Sequence, residues 1–288
     1  MLTMGAQAAR RALEAAQVTW QEIDLIIDCS TSRYRPIPCN AAHYQHIFGR
    51  EARGIPCFDV QSTCLGFIVA LQTANALMMT ESYRHILIVA SEAALTGVNW
   101  QQPESAGLMS DGAAAAVLRF SPTELPLVMM HETFGEYLDL CKVDGGAHYL
   151  PAFEYREDRR SEFLFDMNGP ALFRVAASRL PAMVRSTVAQ WAQQIGNPDA
   201  AITDLQIIPH QASPKALDTM LQLLRTTPDR FQIAVRDIGN MAAASLPFML
   251  DQYLRRPTPA MQTDEPIMLL GTSAGYSQAA MIFYPRLP

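Results

Sequence analysis

Short apolar runs alternate along the chain with stretches in which apolar residues recur at helical spacing. The runs are short enough, and rich enough in Ile, Leu and Val, to predict buried strands. The predicted strands are 23–29, 55–60, 85–90 and 113–120. The predicted helices are 5–17, 41–49, the stretch after Cys64, and a long helix from Asn168-Gly169-Pro170 to about Ile195. This alternation of strands and helices predicts an α/β fold.

The second half of the chain repeats the first. Three pairs of matching positions share a nearly constant offset of 178 to 181 residues: Asp24 with Asp204, Asp59 with Asp237, and Ile86 with Ile267. We therefore expect two related α/β halves, residues 1–165 and 166–288, with mixed sheets and helices on both faces. Residues 121–165 are polar and contain Gly145-Gly146, so we expect a long surface excursion there.

Cys64 stands where a predicted strand passes into a helix. The apolar run that ends near Val60 is followed by small polar residues, Cys64 and then a helical pattern. On the first turn of a helix, unpaired N–H groups and the helix dipole favour a thiolate. The pattern therefore makes Cys64 a candidate nucleophile, although a buried packing cysteine is an equally good interpretation of this stretch alone.

The repeat brings two further polar residues towards Cys64. His210 follows the first predicted strand of the second half, and Asn240 precedes the helix that matches the one after Cys64. If a pseudo-twofold axis relates the halves, these loops meet at one place. The sequence thus predicts a site that contains a cysteine, a histidine and an asparagine.

Composition narrows the functional classes. The formal net charge of −6 argues against nucleic acid as a partner, and no apolar run is long enough to span a membrane. The first residues lack a basic region followed by an apolar core, so we expect no signal peptide. The five cysteines lack metal-ligand spacing, and His43 with His46 has no third ligand. We therefore expect a reduced, cytoplasmic protein without a metal.

Several motifs, in order, resemble those of the β-ketoacyl-acyl-carrier-protein synthase III family of condensing enzymes. The motifs are Asp59-Val60 before Cys64-Leu65-Gly66-Phe67, Asp111-Gly112-Ala113, Met167-Asn168-Gly169-Pro170, Pro209-His210-Gln211-Ala212, Gly239-Asn240, and the turn from Gly271 to Gly275. The resemblance covers essentially the whole chain. It implies a thiolase-like fold with a layered αβαβα arrangement.

The resemblance also implies a mechanism. Cys64 aligns with the acyl-accepting nucleophile, and His210 and Asn240 align with the pair that binds the carbonyl of a malonyl thioester. The backbone N–H groups of Cys64 and Gly275 would form an oxyanion hole. The expected reaction is decarboxylative condensation of acyl-Cys64 with a malonyl thioester to give a 3-oxoacyl product, without a metal or redox cofactor.

Partners and substrate contacts follow from the same resemblance. Acyl-CoA or acyl-carrier-protein thioesters are the expected substrates, and a homodimer is the expected assembly. Ile37 falls where a residue reaches into the partner subunit's acyl pocket, and Ser213 and Lys215 fall at positions near substrate and carrier. Arg225, Arg230 and Arg236 would attract an acidic carrier, or form a solvated face.

Departures from the family pattern leave alternatives open. The resemblance implies about fifty further residues ahead of the first helix, which contribute to the CoA site and to a sheet whose edge otherwise needs cover. The turn Gly271-Thr272-Ser273-Ala274-Gly275 has fewer glycines than in relatives, and Ser213 and Pro214 replace the residues that usually follow His-Gln-Ala. Together these two departures suggest a specialised member in secondary metabolism. Two other functions stay open: acyl transfer to an oxygen or nitrogen nucleophile, and a non-catalytic partner subunit of a condensing enzyme.

Overall fold

Two four-stranded sheets organise the chain in the computed structural model, which describes residues 1–121, 127–256 and 265–285. The helices are α1 (Leu2–Ala16), α2 (Asn40–Phe48), α3 (Gly66–Met78), α4 (Pro103–Ala106), α5 (Gly169–Gln194), α6 (Pro214–Leu224), α7 (Val235–Ile238) and α8 (Ser245–Leu254). The strands are β1 (Leu25–Asp28), β2 (Cys57–Asp59), β3 (His85–Glu92), β4 (Gly112–Arg119), β5 (Val128–Thr133), β6 (Cys141–Lys142), β7 (Asp166–Met167), β8 (Gln206–Pro209), β9 (Ile267–Ser273) and β10 (Ser277–Phe283).

The first sheet has the strand order β2-β1-β3-β4. β1 is parallel to both β2 and β3, whereas β4 is antiparallel to β3, with Glu92 opposite Gly112. Both β1 and β3 are buried along nearly their whole length, because helices cover both faces of the sheet. All four strands lie where the apolar runs predict them.

The second sheet has the order β5-β10-β9-β8 and differs from the first at both edges. Beyond β8, where β2 would have its counterpart, the described part of the chain has only an isolated parallel bridge between Ile207 and Phe231. β8 and β9 are parallel, as are β1 and β3 in the first sheet. β10 is antiparallel to β9, as β4 is to β3. β5, however, pairs antiparallel with β10, and no strand of the described residues is its counterpart in the first sheet. Its residues belong to the stretch predicted as a surface excursion, so that prediction is wrong for 128–133. Residues 122–126 of the stretch lie outside the described residues.

Three apolar cores show that the molecule has five layers. In the central core, side chains of α3 and α8 pack between the two sheets, among them Leu71 and Met249. A first outer core joins α1 and α2 to the outer face of the first sheet, for example through Leu13. A second outer core joins α5 and α6 to the second sheet, for example through Met183. This order of layers confirms the expected αβαβα arrangement.

The repeat extends to the short turns that precede the central helices. A 3₁₀ turn at Thr63–Leu65 leads into α3, and a 3₁₀ turn at Ala242–Ala244 leads into α8. Thr63 has φ 45° and Ala242 has φ 43°, both in the left-handed region that non-glycine residues seldom adopt. The same strained step therefore occurs at matching positions, one before the Cys64 helix and one after Asn240.

Candidate active site

Cys64 lies at the centre of the strained turn that joins β2 to α3. The prediction of a helical first turn is nearly correct, since the 3₁₀ turn at Thr63–Leu65 runs directly into α3 at Gly66. The left-handed backbone of Thr63 costs about 1 kcal/mol or more, and strain of this kind is common next to catalytic groups. The turn thereby holds the cysteine in one orientation at the start of a buried helix.

Close backbone packing fixes the position of this turn. A Cβ atom on Gly66 would lie 2.2 Å from the carbonyl oxygen of Cys29 and 3.5 Å from the Cβ atom of Ala243. Only a glycine permits this approach to the end of β1. The Cys64 turn is thus held between the first sheet and the matching turn of the second half.

His210 lies against the same turn from the other side. Its backbone N–H donates to the carbonyl oxygen of Leu270 over 2.7 Å, which places it at the end of β8. A Cβ atom on Gly271 of β9 would lie 3.0 Å from Leu65 Cδ2 and 3.1 Å from His210 Cβ. The absence of a side chain on Gly271 therefore allows the residue after Cys64 and His210 to approach the same point of β9.

Asn240 joins this group from the turn before α8. Its side-chain Nδ2 donates to the carbonyl oxygen of Ala212 over 3.4 Å, two residues beyond His210, and its Oδ1 accepts from the Ala242 N–H over 2.9 Å. Its backbone N–H donates to the Leu108 carbonyl oxygen over 2.7 Å. The amide is therefore held in place beside the His210 loop.

Burial sets the charge states of the two central groups. It lowers the pKa of His210 to about 4, so the imidazole is neutral near pH 7. It also raises the pKa of the Cys64 thiol, and the nearby Cys141 and Glu92 raise it further. The expectation that the helix start favours a thiolate is therefore wrong for the isolated chain, because loss of hydration outweighs the helix dipole.

Hydrogen bonding indicates which ring nitrogen of His210 carries the proton. The side chain is only 5% exposed, and Nδ1 is buried without a partner among the described residues. A buried N–H without an acceptor costs more than a bare ring nitrogen, so we assign the proton of the neutral ring to Nε2. Nε2 is then the donor that a ligand can meet.

A buried acidic network beside the site is absent from the sequence-based prediction. Glu92, at the end of β3, accepts from the Thr31 N–H over 2.6 Å and from the Ser32 N–H over 2.9 Å. Asp28, at the end of β1, accepts from Ser30 and from Asn40 Nδ2 over 3.1 Å. Burial raises the pKa of both carboxyls, that of Asp28 to about 7. Carboxyls at the ends of apolar strands are the sequence signal for this network.

The remaining predicted site residues lie at separate places around this centre. Ile37 is 85% exposed, in the loop that the acidic network holds. Ser213 caps α6, since its Oγ accepts from the Ala216 N–H over 3.3 Å. The exposed Lys215 has its Nζ 5.9 Å from the centroid of the Phe173 ring. Gly275, with φ 93°, lies in the tight turn between β9 and β10. Their roles stay predictions.

Two further classes of feature are absent from residues 1–121, 127–256 and 265–285. No cluster of three or more His, Cys, Asp or Glu side chains is placed to ligate a metal ion. None of the helices combines the length and the apolar character that crossing a membrane requires. All five cysteines have free thiols.

Comparison with known proteins agrees with this geometry. Residues 58–132 match the family model for 3-oxoacyl-[acyl-carrier-protein] synthase III, and residues 199–284 match its C-terminal model. A β-ketoacyl-[acyl-carrier-protein] synthase III of Neisseria meningitidis serogroup A is 30% identical over 287 residues, which cover 97% of this chain and 82% of the relative. The corresponding protein of Vesicomyosocius okutanii is 29% identical over 276 residues, 96% of this chain and 81% of the relative.

Solved structures show the same fold. The crystal structure of 3-oxoacyl-[acyl-carrier-protein] synthase III from Aquifex aeolicus has a TM-score of 0.84 at 22% identity, covering 99% of this chain and 84% of that one. The priming β-ketosynthase of the R1128 polyketide pathway has a TM-score of 0.82 at 26% identity, covering 100% and 82%. This chain belongs to the 3-oxoacyl-[acyl-carrier-protein] synthase III family of thiolase-fold acyltransferases.

Proposed function

We propose that the protein loads an acyl group onto Cys64 and condenses it with a malonyl thioester, releasing CO₂ and a 3-oxoacyl thioester. The observation that carries this proposal is the approach of Leu65 and His210 to the same point of Gly271. The amide of Asn240, held beside the same loop, adds a second donor. A nucleophile and two neutral donors from three different loops support acyl transfer followed by enolate formation.

Acylation begins from a protonated thiol. The Cys64 sulfur attacks the carbonyl carbon of an acyl thioester, a C–S bond forms, and the bond to the leaving thiolate breaks. The proton of Cys64 passes to that thiolate. Because burial raises the pKa of Cys64 and lowers that of His210, a resting thiolate–imidazolium pair is disfavoured, and the proton leaves as the new bond forms. Backbone N–H groups, with Gly275 as the predicted second donor, would stabilise the oxyanion.

Condensation uses the neutral donors. Loss of CO₂ from a malonyl thioester leaves an enolate whose negative charge develops on the thioester oxygen. Nε2–H of His210 and Nδ2 of Asn240 would donate to that oxygen, and the enolate carbon would attack acyl-Cys64. A C–C bond forms, the C–S bond to Cys64 breaks, and the thiolate takes a proton from solvent. A neutral imidazole suits this role, because its N–H can donate a hydrogen bond while the ring carries no positive charge that a buried anion would have to balance.

Exposed apolar side chains next to the edge strand β2 support a homodimer. Within the part of the chain that the structure describes, β2 pairs only with β1. Near it, Ile37 is 85%, Tyr34 52% and Phe58 37% exposed. An isologous contact would bury these side chains and place Ile37 against the partner subunit. Acyl-CoA and acyl-carrier-protein thioesters are the proposed substrates, with Lys215 facing the carrier.

Intact-protein mass spectrometry after incubation with a panel of acyl-CoAs and acyl carriers tests the proposal. We expect one acyl adduct on the native protein, none on Cys64→Ala, and an unchanged adduct on the matched control Cys57→Ala. Malonyl thioester should then remove the adduct with CO₂ release. Removal only by alcohols or amines would instead identify an oxygen or nitrogen acyltransferase. A folded protein that no donor labels would contradict the catalytic proposal and favour the partner-subunit alternative.

A further inference from the structure

The turn between β9 and β10 carries the predicted second oxyanion donor. Ser273 pairs with Ser277, so residues 274–276 form the turn. Gly275, at its centre, has φ 93°, and a residue without a Cβ atom does little by itself to fix the backbone. The direction of the Gly275 N–H group therefore depends on how firmly the neighbouring residue, Tyr276, is held.

Tyr276 is completely buried and is held through its backbone, its ring and its hydroxyl group. Its carbonyl oxygen accepts from the Phe134 N–H over 2.9 Å, which ties the turn to the residue after β5. Its ring lies edge-on to that of Tyr137, with 6.2 Å between the centroids. Its hydroxyl donates to Gln278 Oε1 over 2.9 Å. The residue next to Gly275 thus anchors the turn.

The hydroxyl of Tyr276 starts a chain of hydrogen bonds with a single direction. Gln278 Nε2 donates to Glu132 Oε2 over 2.6 Å. Because a carboxylate only accepts, the Gln278 amide turns its nitrogen to Glu132 and its oxygen to Tyr276. Burial raises the pKa of Tyr276, so the hydroxyl keeps its proton and can donate to that oxygen. The hydroxyl and both ends of the amide therefore have partners.

This chain lies on the face of the second sheet that is turned away from the candidate active site. Side chains alternate along a strand, so Tyr276 and Gln278 share a face with Ala280, which packs into the second outer core. Ala279, on the opposite face, packs into the central core together with Leu65. A substrate at the active site would not touch the chain. Any effect of the chain on catalysis must pass through the backbone of the turn.

α5 holds the aromatic residues that contact Tyr276. The Cζ atom of Arg179 lies 4.0 Å from the centroid of the Phe134 ring. Its Nη2 donates to the Tyr137 hydroxyl over 3.3 Å and lies 3.5 Å from Glu136 Oε1. The contacts around the turn thus connect it to both β5 and α5.

We propose that Tyr276 is a positioning residue for the acylation of Cys64. Through Gln278 and Glu132 it holds the turn so that the Gly275 N–H is aimed at the oxyanion. This rests on the proposed function, since Gly275 is the expected second donor there. A donor is effective when it is already aimed at the place where charge develops. A buried network whose members all have partners selects one arrangement of the backbone.

Tyr276→Phe tests the proposal with two reactions of the same thiol. Acylation by an acyl-CoA builds an oxyanion, whereas alkylation by iodoacetamide displaces iodide and builds none. For Tyr276→Phe we expect the acylation rate at saturating acyl-CoA to fall about tenfold, as for a donor displaced by a few tenths of an ångström. The half-saturating concentration of acyl-CoA and the alkylation rate of Cys64, followed by peptide mass spectrometry, should stay unchanged. Tyr155→Phe, which removes an exposed hydroxyl bonded to Glu157, is the matched control and should leave both reactions unchanged.

A double variant separates positioning from stability. Tyr276→Phe alone leaves Gln278 Oε1 buried without a donor, which destabilises the fold. Adding Gln278→Leu removes that unpaired group, so the double variant should unfold at a temperature closer to the native one than the single variant does. Its acylation rate should nevertheless stay about tenfold low, because the chain that holds the turn is still missing. Recovery of the native acylation rate together with stability would contradict a positioning role.

Hydrogen exchange of residues 274–276 in the full chain measures the anchoring without an acyl donor. We expect these amides to exchange about tenfold or more faster in Tyr276→Phe, with the amides of α3 unchanged. Unchanged exchange, a native acylation rate in the folded variant, an equal loss in acylation and alkylation, or a loss confined to acyl-CoA binding would each overturn the proposal and leave the proposed function standing. If iodoacetamide alkylated Cys64 of the native protein but no acyl-CoA or acyl carrier labelled it, the proposed function would fail, and the positioning role with it.

Discussion

Gly271→Ala is the sharpest probe of how the site is assembled. The new Cβ atom would lie 3.0 Å from Leu65 Cδ2, 3.1 Å from His210 Cβ and 3.9 Å from Leu246 Cδ1. Two of these distances are shorter than ordinary carbon–carbon contacts. Leu65 and His210 must therefore each move away from the new Cβ atom by a few tenths of an ångström. Overpacking of this size costs about 1–3 kcal/mol of stability.

The catalytic effect follows from the displacement. Misplacing a catalytic group by about 1 Å costs roughly a hundredfold in rate, so a shift of a few tenths predicts a loss of about tenfold. The loss should fall on condensation, which needs His210, more than on acylation of Cys64. Single-turnover mass spectrometry measures both rates on the same sample, and thermal unfolding measures the stability change.

Gly97→Ala is the matched control, because a Cβ atom on Gly97 would have nothing within 4 Å. It should leave both rates unchanged. If Gly271→Ala condensed at the native rate while folded, the contact of β9 with Leu65 and His210 would not position the site. An equal loss in acylation and condensation would likewise contradict a specific effect on His210.

Three further predictions concern the Cys64 thiol, the Asp28 carboxyl and the packing of Gly66. Because burial raises the pKa of Cys64, its alkylation by iodoacetamide should rise about tenfold per pH unit from pH 7 to 9, and a plateau near pH 7 would refute this. The pKa of Asp28 is about 7 in the folded state but near 4 in the unfolded state, so the folded state binds an extra proton and loses stability as the pH rises from 4 to 7. Asp28→Asn should be more stable than the native chain at pH 8, by up to about 4 kcal/mol, and equally stable below pH 4. Equal pH profiles of the two proteins in denaturant titrations would contradict this. Gly66→Ala, whose Cβ would lie 2.2 Å from Cys29 O, should destabilise by at least about 3 kcal/mol in the same titrations, and native stability would contradict this packing.

Much of the fold could be predicted because buried strands and their helices leave a local signal. β1 and β3 are covered on both faces, so they appear as continuous apolar runs. The repeat places His210 and Asn240 in loops that match those of the first half, which is why their convergence was predictable. Thr63 and Ala242 show the same symmetry in their backbone angles, which no residue pattern reveals.

The missed features depend on tertiary structure. β5 is a short strand with His131 and Glu132 in it, and its partner β10 lies more than a hundred residues away, so nothing local marks it. Whether the pKa of Cys64 rises or falls depends on how much water the neighbouring residues exclude from the thiol. The position of Cys64 at a helix start does not determine this. The place of Glu92 in the buried acidic network depends on hydrogen bonds from backbone N–H groups of a loop that lies 60 residues earlier in the chain.

The central claim is that His210 and Asn240 stabilise an enolate that attacks acyl-Cys64. The most direct measurement starts from acyl-enzyme prepared on Cys64 and follows, in one turnover, its discharge by a carboxyl-labelled malonyl thioester. We predict that labelled CO₂ appears together with free Cys64, and that His210→Ala and Asn240→Ala each acylate normally but release CO₂ at least about a hundredfold more slowly. Equal CO₂ release by the native protein and both variants would contradict the account.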